Sequence, residues 1–185
     1  MDWGHDSRGG IGTSRYNNGT ISYLGQWKDG SRSGTGKEFR TDGSLEYAGH
    51  FSENVRDGVG KSYFKCGRVV QYDGMWKANT MCGVGKGYRE DSSLIYYGNF
   101  LDGLRGGGWG KSFRRNGALH FFGEWTKGER CGHGTAYDTD GHTILFAGNW
   151  RDGLPASPAA MKRKRAMERS EARHEFVKSC KDSCH

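Results

Sequence analysis

The chain alternates large apolar and other residues in a short pattern that recurs through most of its length. An aromatic residue, a glycine two positions later and a second aromatic two positions after that form the unit aromatic-x-Gly-x-aromatic, whose copies begin 24 or 25 residues apart. A period of two places these side chains on one face of a β-strand. The leading and closing aromatics are Tyr23 and Trp27, Tyr47 and Phe51, Tyr72 and Trp76, Tyr96 and Phe100, Phe121 and Trp125, and Phe146 and Trp150.

Turn residues recur with the same period as the aromatics. A Gly-x-Gly pair lies between successive units, and a turn sequence, mostly Asn-Gly or Asp-Gly, follows it. The parity of the apolar positions predicts a three-residue loop over 41–43 that pairs Phe39 with Leu45 and ends in the left-handed region. We expect the same loop geometry after each closing aromatic, where the third residue is Gly or, at two positions, Asn54 and Asn79.

Each unit with its turn predicts one β-hairpin. Stacked hairpins give an all-β fold, an elongated single-layer antiparallel sheet with one aromatic face. The glycine inside each unit leaves space into which neighbouring rings lean. A further aromatic follows most Gly-x-Gly pairs on the same face. Two of these, Tyr63 and Tyr88, are candidates for contact with a partner.

Composition agrees with a folded β-repeat protein and excludes two other classes. The 185 residues include 32 glycines but only two prolines, which excludes collagen, and nine Phe, nine Tyr and six Trp are too many for a disordered chain. The net charge of +7 favours acidic partners. The sequence has no apolar run of membrane-spanning length, no secretory signal and only five scattered cysteines, so we expect a cytoplasmic protein.

On these residues the chain resembles the MORN repeat family (membrane occupation and recognition nexus). The family pattern is Tyr-x-Gly-x-Trp/Phe-x-x-Gly-x-x-x-Gly-x-Gly followed by an Asp-Gly turn, and the resemblance covers residues 3 to about 153. It implies six repeats and a partial N-terminal one within residues 1–154. It also implies a non-catalytic role, because such arrays accompany phosphoinositide kinases, junctional membrane proteins, cytoskeletal assemblies and the radial spoke heads of cilia.

Residues 155–185 form a basic tail of different composition. Ser157 as N-cap and Pro158 at the first helical position predict an α-helix that continues to Lys181. The tail contains the basic run Lys162, Arg163, Lys164 and Arg165. This run would be the polar side of a helix that caps the sheet, a nuclear targeting signal, or a contact with a membrane surface.

The sequence contains no recognisable catalytic set. The glycine pairs lack the helix and lysine of a phosphate-binding loop, and the histidines share no repeat position, so we expect no enzyme, no cofactor and no metal. A lysine directly follows four of the Gly-x-Gly pairs. By parity we expect this row at the rim of the aromatic side, where it would discourage sheet association or contact an acidic partner. The row is Lys37, Lys61, Lys86 and Lys111.

These features favour a scaffold or adaptor that binds protein partners, such as a helix or an acidic segment, in an aromatic groove. The resemblance suggests a cytoskeletal or ciliary assembly. The alternative is a peripheral membrane protein that binds phosphoinositides through the lysine row and the basic tail. Self-association into a homodimer or larger assembly is a third hypothesis. Nucleic acid is not expected as a partner, because stacked rows account for the aromatics.

Overall fold

In the computed structural model, which describes residues 9–156, the chain forms one antiparallel sheet of thirteen strands. The strands lie side by side in the order of the sequence. They are β1 (Gly10–Arg15), β2 (Ile21–Lys28), β3 (Ser31–Phe39), β4 (Leu45–Ser52), β5 (Val55–Tyr63), β6 (Val70–Lys77), β7 (Thr80–Tyr88), β8 (Leu94–Leu101), β9 (Leu104–Phe113), β10 (Leu119–Thr126), β11 (Glu129–Tyr137), β12 (Ile144–Arg151) and β13 (Leu154–Pro155). The predicted all-β single sheet is confirmed. The predicted tail helix and its basic run, residues 162–165, lie outside the described residues.

Two kinds of turn alternate along the sheet, and the first agrees with the prediction. Between β3 and β4, the Gly43 N–H donates to the Arg40 carbonyl at 2.9 Å and the Arg40 N–H donates to the Ser44 carbonyl at 2.9 Å. These bonds enclose a three-residue loop in which Gly43 has a φ of 82°. Phe39 pairs with Leu45. The predicted loop length and the predicted pair are therefore confirmed.

The second kind of turn is shorter than predicted. Between β4 and β5, Ser52 pairs directly with Val55, so the loop contains two residues. Both of them have positive φ, 47° at Glu53 and 70° at Asn54, which defines a type I′ turn. The left-handed conformation at the second of them is confirmed. The predicted three-residue loop is wrong at this turn, because only Glu53 and Asn54 separate the paired residues and both are left-handed.

A β-bulge in each repeat decides which residues share a face. Glu38 pairs with Tyr47 while the next residue of β3 pairs with Leu45, so one residue of β4 has no partner in the ladder. As a result Lys37 pairs with Ala48 and points away from Tyr47. The prediction that the lysine row lies on the aromatic side is therefore wrong. The opposite surface, here called the lysine face, carries Lys37, Lys61, Lys86 and Lys111.

The core lies entirely on the other surface, here called the aromatic face, which is made by the leading and closing aromatics from Tyr23 to Trp150. Leading aromatics such as Tyr47 are 0% exposed although residues 9–156 contain no second layer that would cover them. The reason is that the ring of Tyr47 lies directly over Gly49 and Gly60, which pair across β4 and β5. The predicted role of the central glycine, to leave space for a ring, is confirmed.

The rings of the aromatic face form one unbroken chain of edge-to-face contacts. Tyr47 contacts Phe51 of its own strand and Trp76 of the next repeat, both with ring centroids 5.2 Å apart. The same alternation continues from Trp27 at one end to Phe146 at the other. Each contact contributes about 0.5–1.5 kcal/mol beyond the area it buries, so neighbouring repeats are coupled along the whole sheet.

Candidate functional site: an arginine row on the aromatic face

Arginine side chains cover the rings of the aromatic face. Arg56 pairs with Phe51 across β4 and β5, and its guanidinium carbon lies 4.9 Å from the ring centroid of Tyr47 and 5.6 Å from that of Trp76. The arginine row consists of Arg32, Arg56, Arg105 and Arg130. A planar guanidinium stacks well on an aromatic ring, and these groups help to exclude water where a second protein layer would otherwise be needed.

The sequence analysis missed the arginine row, although the signal was present. Each arginine stands five residues after a closing aromatic, at Arg32, Arg56, Arg105 and Arg130. The third repeat has Met81 at this position, and the last has Pro155. The glycines and aromatics account for the period without these residues, so the period alone does not single out the arginines.

In the N-terminal half of the row, carboxylates neutralise the arginines. Glu38 accepts hydrogen bonds from Arg32 Nη1 at 2.8 Å and from Arg56 Nε and Nη2 at 2.9 and 2.7 Å. Glu46 accepts a further bond from Arg56 Nη2 at 2.7 Å. Burial alone would raise the pKa of the Glu38 carboxyl, but the hydrogen bonds from Arg32 and Arg56 outweigh it and lower the pKa. The same contacts raise the pKa of Arg56 in spite of its burial.

In the C-terminal half, Arg105 and Arg130 have no carboxylate within ion-pairing distance among residues 9–156. Arg105 stacks on Tyr96 and Trp125, with 5.8 and 5.1 Å to the ring centroids. Burial lowers the pKa of Arg105, and burial together with nearby arginine charges lowers the pKa of Arg130. Carboxylates therefore balance the arginine charges in the N-terminal half, whereas the two guanidinium charges of the C-terminal half have no carboxylate partner among residues 9–156.

His120 occupies the position next to Arg130 that Glu46 occupies next to Arg56. Its ring nitrogens lie 3.1 Å from Arg130 Nη2. Burial, with the charges of Arg130 and Arg114, lowers the pKa of His120 to about 4, so the ring is neutral at pH 7. A neutral side chain therefore stands where the N-terminal half has a carboxylate.

Where Met81 takes the place of an arginine in the row, the aromatic face has a cleft. The cleft has a volume of about 240 Å³, and its walls include Arg56, Tyr63, Met81 and Phe100. The predicted contact residue Tyr63 thus borders a recess. Tyr88, the other predicted tyrosine, is half-buried at the end of β7.

A second row of donors fixes each repeat to the next. At the end of a strand, an Arg or Tyr side chain reaches across the sheet to a backbone carbonyl about one repeat further along the chain. These bonds, each 2.7 Å long, join Tyr16 to Phe39, Arg40 to Tyr63, Arg89 to Phe113 and Arg114 to Tyr137. They hold successive repeats in a fixed relative position, so the aromatic face is rigid.

The lysine face is a mixed cationic and apolar surface. Lys61 forms an ion pair with Asp73 at 3.1 Å, while the amino groups of Lys86 and Lys111 lie 5.9 and 5.4 Å from the ring centroids of Tyr97 and Phe122. The exposed apolar side chains of this face include Val59, Met75, Val84, Tyr97, Trp109 and Phe122. The lysines therefore surround exposed apolar surface and lie apart from the buried aromatics.

Two further findings concern other kinds of site. In the part of the chain that the structure describes, no three His, Cys, Asp or Glu side chains are grouped so that they would hold a metal ion. None of the described segments forms a helix with the length and apolar character needed to cross a bilayer.

Sheet order, the two alternating turns and the ring chain define a class of protein, a linear array of stacked β-hairpin repeats. The sequence profile of the MORN repeat matches four segments of the chain, residues 23–45, 47–65, 72–86 and 121–143. The chain belongs to the MORN repeat family. Among curated proteins, none matches it at a significant level. MORN repeats occur in scaffolds that bind proteins or membranes, and they are generally non-catalytic.

Proposed function

We propose that this chain is a non-catalytic scaffold or adaptor that holds a protein partner against its aromatic face, in a cytoplasmic assembly of cytoskeletal or ciliary type. The observation that carries the proposal is the arginine row, in which guanidinium groups lie over rings that are already packed. Guanidinium donors in a fixed plane recognise carboxylates with defined geometry, which suits an acidic partner.

The rigidity of the face supports the same proposal. The rings are coupled by edge-to-face contacts, and side-chain bonds such as Arg40 to the Tyr63 carbonyl fix one repeat on the next. A surface that is ordered in advance loses little conformational entropy on docking. The family assignment agrees with binding as the activity, because the repeats themselves are generally non-catalytic.

A pull-down from native extract with the full chain tests the proposal, provided that two face-specific variants are compared by quantitative mass spectrometry. Arg105→Gln with Arg130→Gln alters the aromatic face, and Lys37→Glu with Lys86→Glu alters the lysine face. We expect a stoichiometric partner that the lysine-face variant retains and the aromatic-face variant loses. A partner lost only from the lysine-face variant, or no stoichiometric partner at all, would contradict the proposal.

The lysine face favours a second candidate function, binding to an anionic membrane surface. Lys111 beside Phe122 and the exposed Trp109, whose ring lies 5.1 Å from that of Phe122, combine cationic and interfacial aromatic groups. If this function holds, vesicles that contain phosphoinositide should carry the protein upward in flotation, and salt should weaken the binding. Lys37→Glu with Lys86→Glu should abolish flotation, whereas the aromatic-face variant should float normally.

A further inference from the structure

The two halves of the arginine row have the same backbone framework. Glu38 pairs with Tyr23 on one side and Tyr47 on the other, and in this way lies between Arg32 and Arg56. Seventy-four residues further on, Ser112 pairs with Tyr96 and Phe121 in the same manner. Arg105 and Arg130 pair with the closing aromatics Phe100 and Trp125, as Arg32 and Arg56 pair with Trp27 and Phe51.

The two arrangements differ in their carboxylates, because Ser112 stands at the position of Glu38 and His120 at that of Glu46. In the first, the Glu38 carboxylate receives hydrogen bonds from both arginines. In the second, Ser112 is too short to present an acceptor at the same height above the sheet. None of the carboxylates of the described chain lies within ion-pairing distance of Arg105 or Arg130.

Ser112 supplies an independent sign that this position lacks a partner. Its side chain is only 5% exposed, and its Oγ has no hydrogen-bond partner in the part of the chain that the structure describes. A buried hydroxyl normally has a partner, because leaving it unsatisfied destabilises the folded protein. Like the Glu38 side chain, Ser112 stands on the aromatic face between two arginines.

We propose that Arg105, Arg130 and Ser112 form a binding site for a glutamate or aspartate side chain of a partner protein. Such a carboxylate would accept hydrogen bonds from both guanidinium groups and from the Ser112 hydroxyl, and so reproduce from outside the arrangement that Glu38 makes from within. The inference rests on the proposed function of the aromatic face, and it specifies the chemistry of the segment that docks there.

Charge complementarity favours a separate acidic protein over the tail of this chain. Residues 155–185 contain eight Lys or Arg against four Asp or Glu, so the tail carries the same sign of charge as the site. A carboxylate is favoured over a phosphate because the chain itself fills the matching site with a carboxylate at 2.7–2.9 Å. Phosphoinositide headgroups are therefore the competing ligand in the test.

The test is binding of a fluorescein-labelled, glutamate-rich peptide to the full chain, measured by fluorescence anisotropy. The same peptide with glutamine in place of glutamate is the ligand control. We expect the glutamate peptide alone to bind, and Arg105→Gln to weaken it at least about tenfold, as the loss of charge-assisted hydrogen bonds implies. Arg68→Gln is the matched protein control. It removes one exposed positive charge from the loop between β5 and β6, outside the proposed site, so it should leave the affinity unchanged.

Ser112→Glu is the sharpest variant, because it should build the internal carboxylate that the C-terminal half lacks. We expect it to raise the melting temperature and to abolish binding of the glutamate peptide. If circular dichroism shows that this variant does not fold, the comparison of Arg105→Gln with Arg68→Gln decides the question alone.

Several outcomes would overturn the inference. They are no binding of the glutamate peptide, an equal loss in Arg68→Gln and Arg105→Gln, or binding that Ser112→Glu leaves intact. Vesicle binding that Ser112→Glu abolishes, without any binding of the peptide, would identify a phosphate ligand instead. A native partner that the folded Ser112→Glu variant still captures, and that the aromatic-face double variant loses, would leave the proposed function standing while this inference fails.

Discussion

The ring of Tyr47 shows how single residues make a core out of one layer. It rests on the backbone of Gly49 and Gly60, and its hydroxyl donates a hydrogen bond to the His50 carbonyl at 3.1 Å. Burial raises the pKa of this hydroxyl to about 12, so it remains a donor throughout the neutral range. The glycine pair is required for close approach of the ring, since a side chain there would occupy the space of Tyr47.

Gly60→Ala is expected to destabilise the protein by about 2–3 kcal/mol, because the added methyl collides with the Tyr47 ring that the ring chain holds in place. Gly87→Ala is the matched control in β7. A methyl there meets only ordinary contacts, and Ala136 already occupies the corresponding position of β11. Urea denaturation of both variants measures the difference. Equal midpoints would show that the ring moves aside at little cost.

His120 makes stability depend on pH in mildly acidic solution. Its pKa is about 4 in the folded protein, against an ordinary value of 6.5, so the folded state disfavours the proton that the unfolded state takes up. The contribution of neutral His120 to the free energy of unfolding is therefore fully present above pH 6.5. It decreases as the pH is lowered from 6.5 towards 4, and below pH 4 His120 causes no further loss. His120→Gln should flatten this part of the profile. Gln71 holds the same position in the third repeat. Parallel urea midpoints for the two proteins across this range would contradict the assignment.

At the scale of the element, each repeat is a hairpin whose two turns require left-handed residues. Of the six loops of the first kind, four have three residues and two, over 65–68 and 139–142, have four. Five of the six place glycine at the left-handed position, and the sixth has Ser92 with a φ of 66°. In the type I′ turns, Asn54 adds something that glycine lacks, because its Oδ1 accepts a hydrogen bond from the Arg32 N–H at 2.9 Å. The same backbone region therefore has different side-chain requirements in the two turns.

Ser92→Gly is expected to stabilise the protein by about 0.5–1 kcal/mol, because it relieves a left-handed conformation that disfavours a Cβ. Asn54→Gly has the same backbone effect but loses the bonds to Arg32 and Ser31, so it should destabilise by about 1 kcal/mol. Thermal denaturation of the two variants should shift in opposite directions. A gain in both would mean that the Asn54 bonds contribute little.

Sequence periodicity predicted the hairpins, their order and the buried rings, because glycines and aromatics recur at fixed spacing. It failed for the lysine row because parity was counted through a bulge. The extra residue in β4 turns Lys37 to the other face, and no feature of the local sequence marks a bulge there. The arginine site could not be predicted from the sequence, because it depends on contacts between strands. Only the strand pairing shows that Ser112 lies between Arg105 and Arg130, at the position that Glu38 has in the first arrangement.

At the scale of the whole molecule, stability is distributed along a line. Each strand pairs only with its neighbours in sequence, and the ring chain likewise passes from one repeat to the next. In such an array, stability approximates a sum of repeat and nearest-neighbour terms. Within the described part of the chain, the two end strands, β1 and the short β13, each have a neighbour on one side only.

Hydrogen exchange should therefore show protection that rises from both ends towards the central strands. Gly60→Ala should lower protection most in β4 and β5 and in the strands on their N-terminal side, while β10 to β12 stay close to wild type. Gly87→Ala provides the baseline. A uniform loss of protection along the chain would instead show that the sheet unfolds as one cooperative unit.

The regular strand order has a consequence for the sequence of any partner. Each repeat has two strands, and neighbouring strands lie about 4.8 Å apart. Equivalent surface residues of successive repeats therefore lie roughly 10 Å apart. An α-helix advances this distance in about seven residues, and an extended segment does so in about three. A partner would contact successive repeats through residues at regular intervals in its own sequence. An interval of about seven residues would show that it docks as a helix, and one of about three that it docks as a strand.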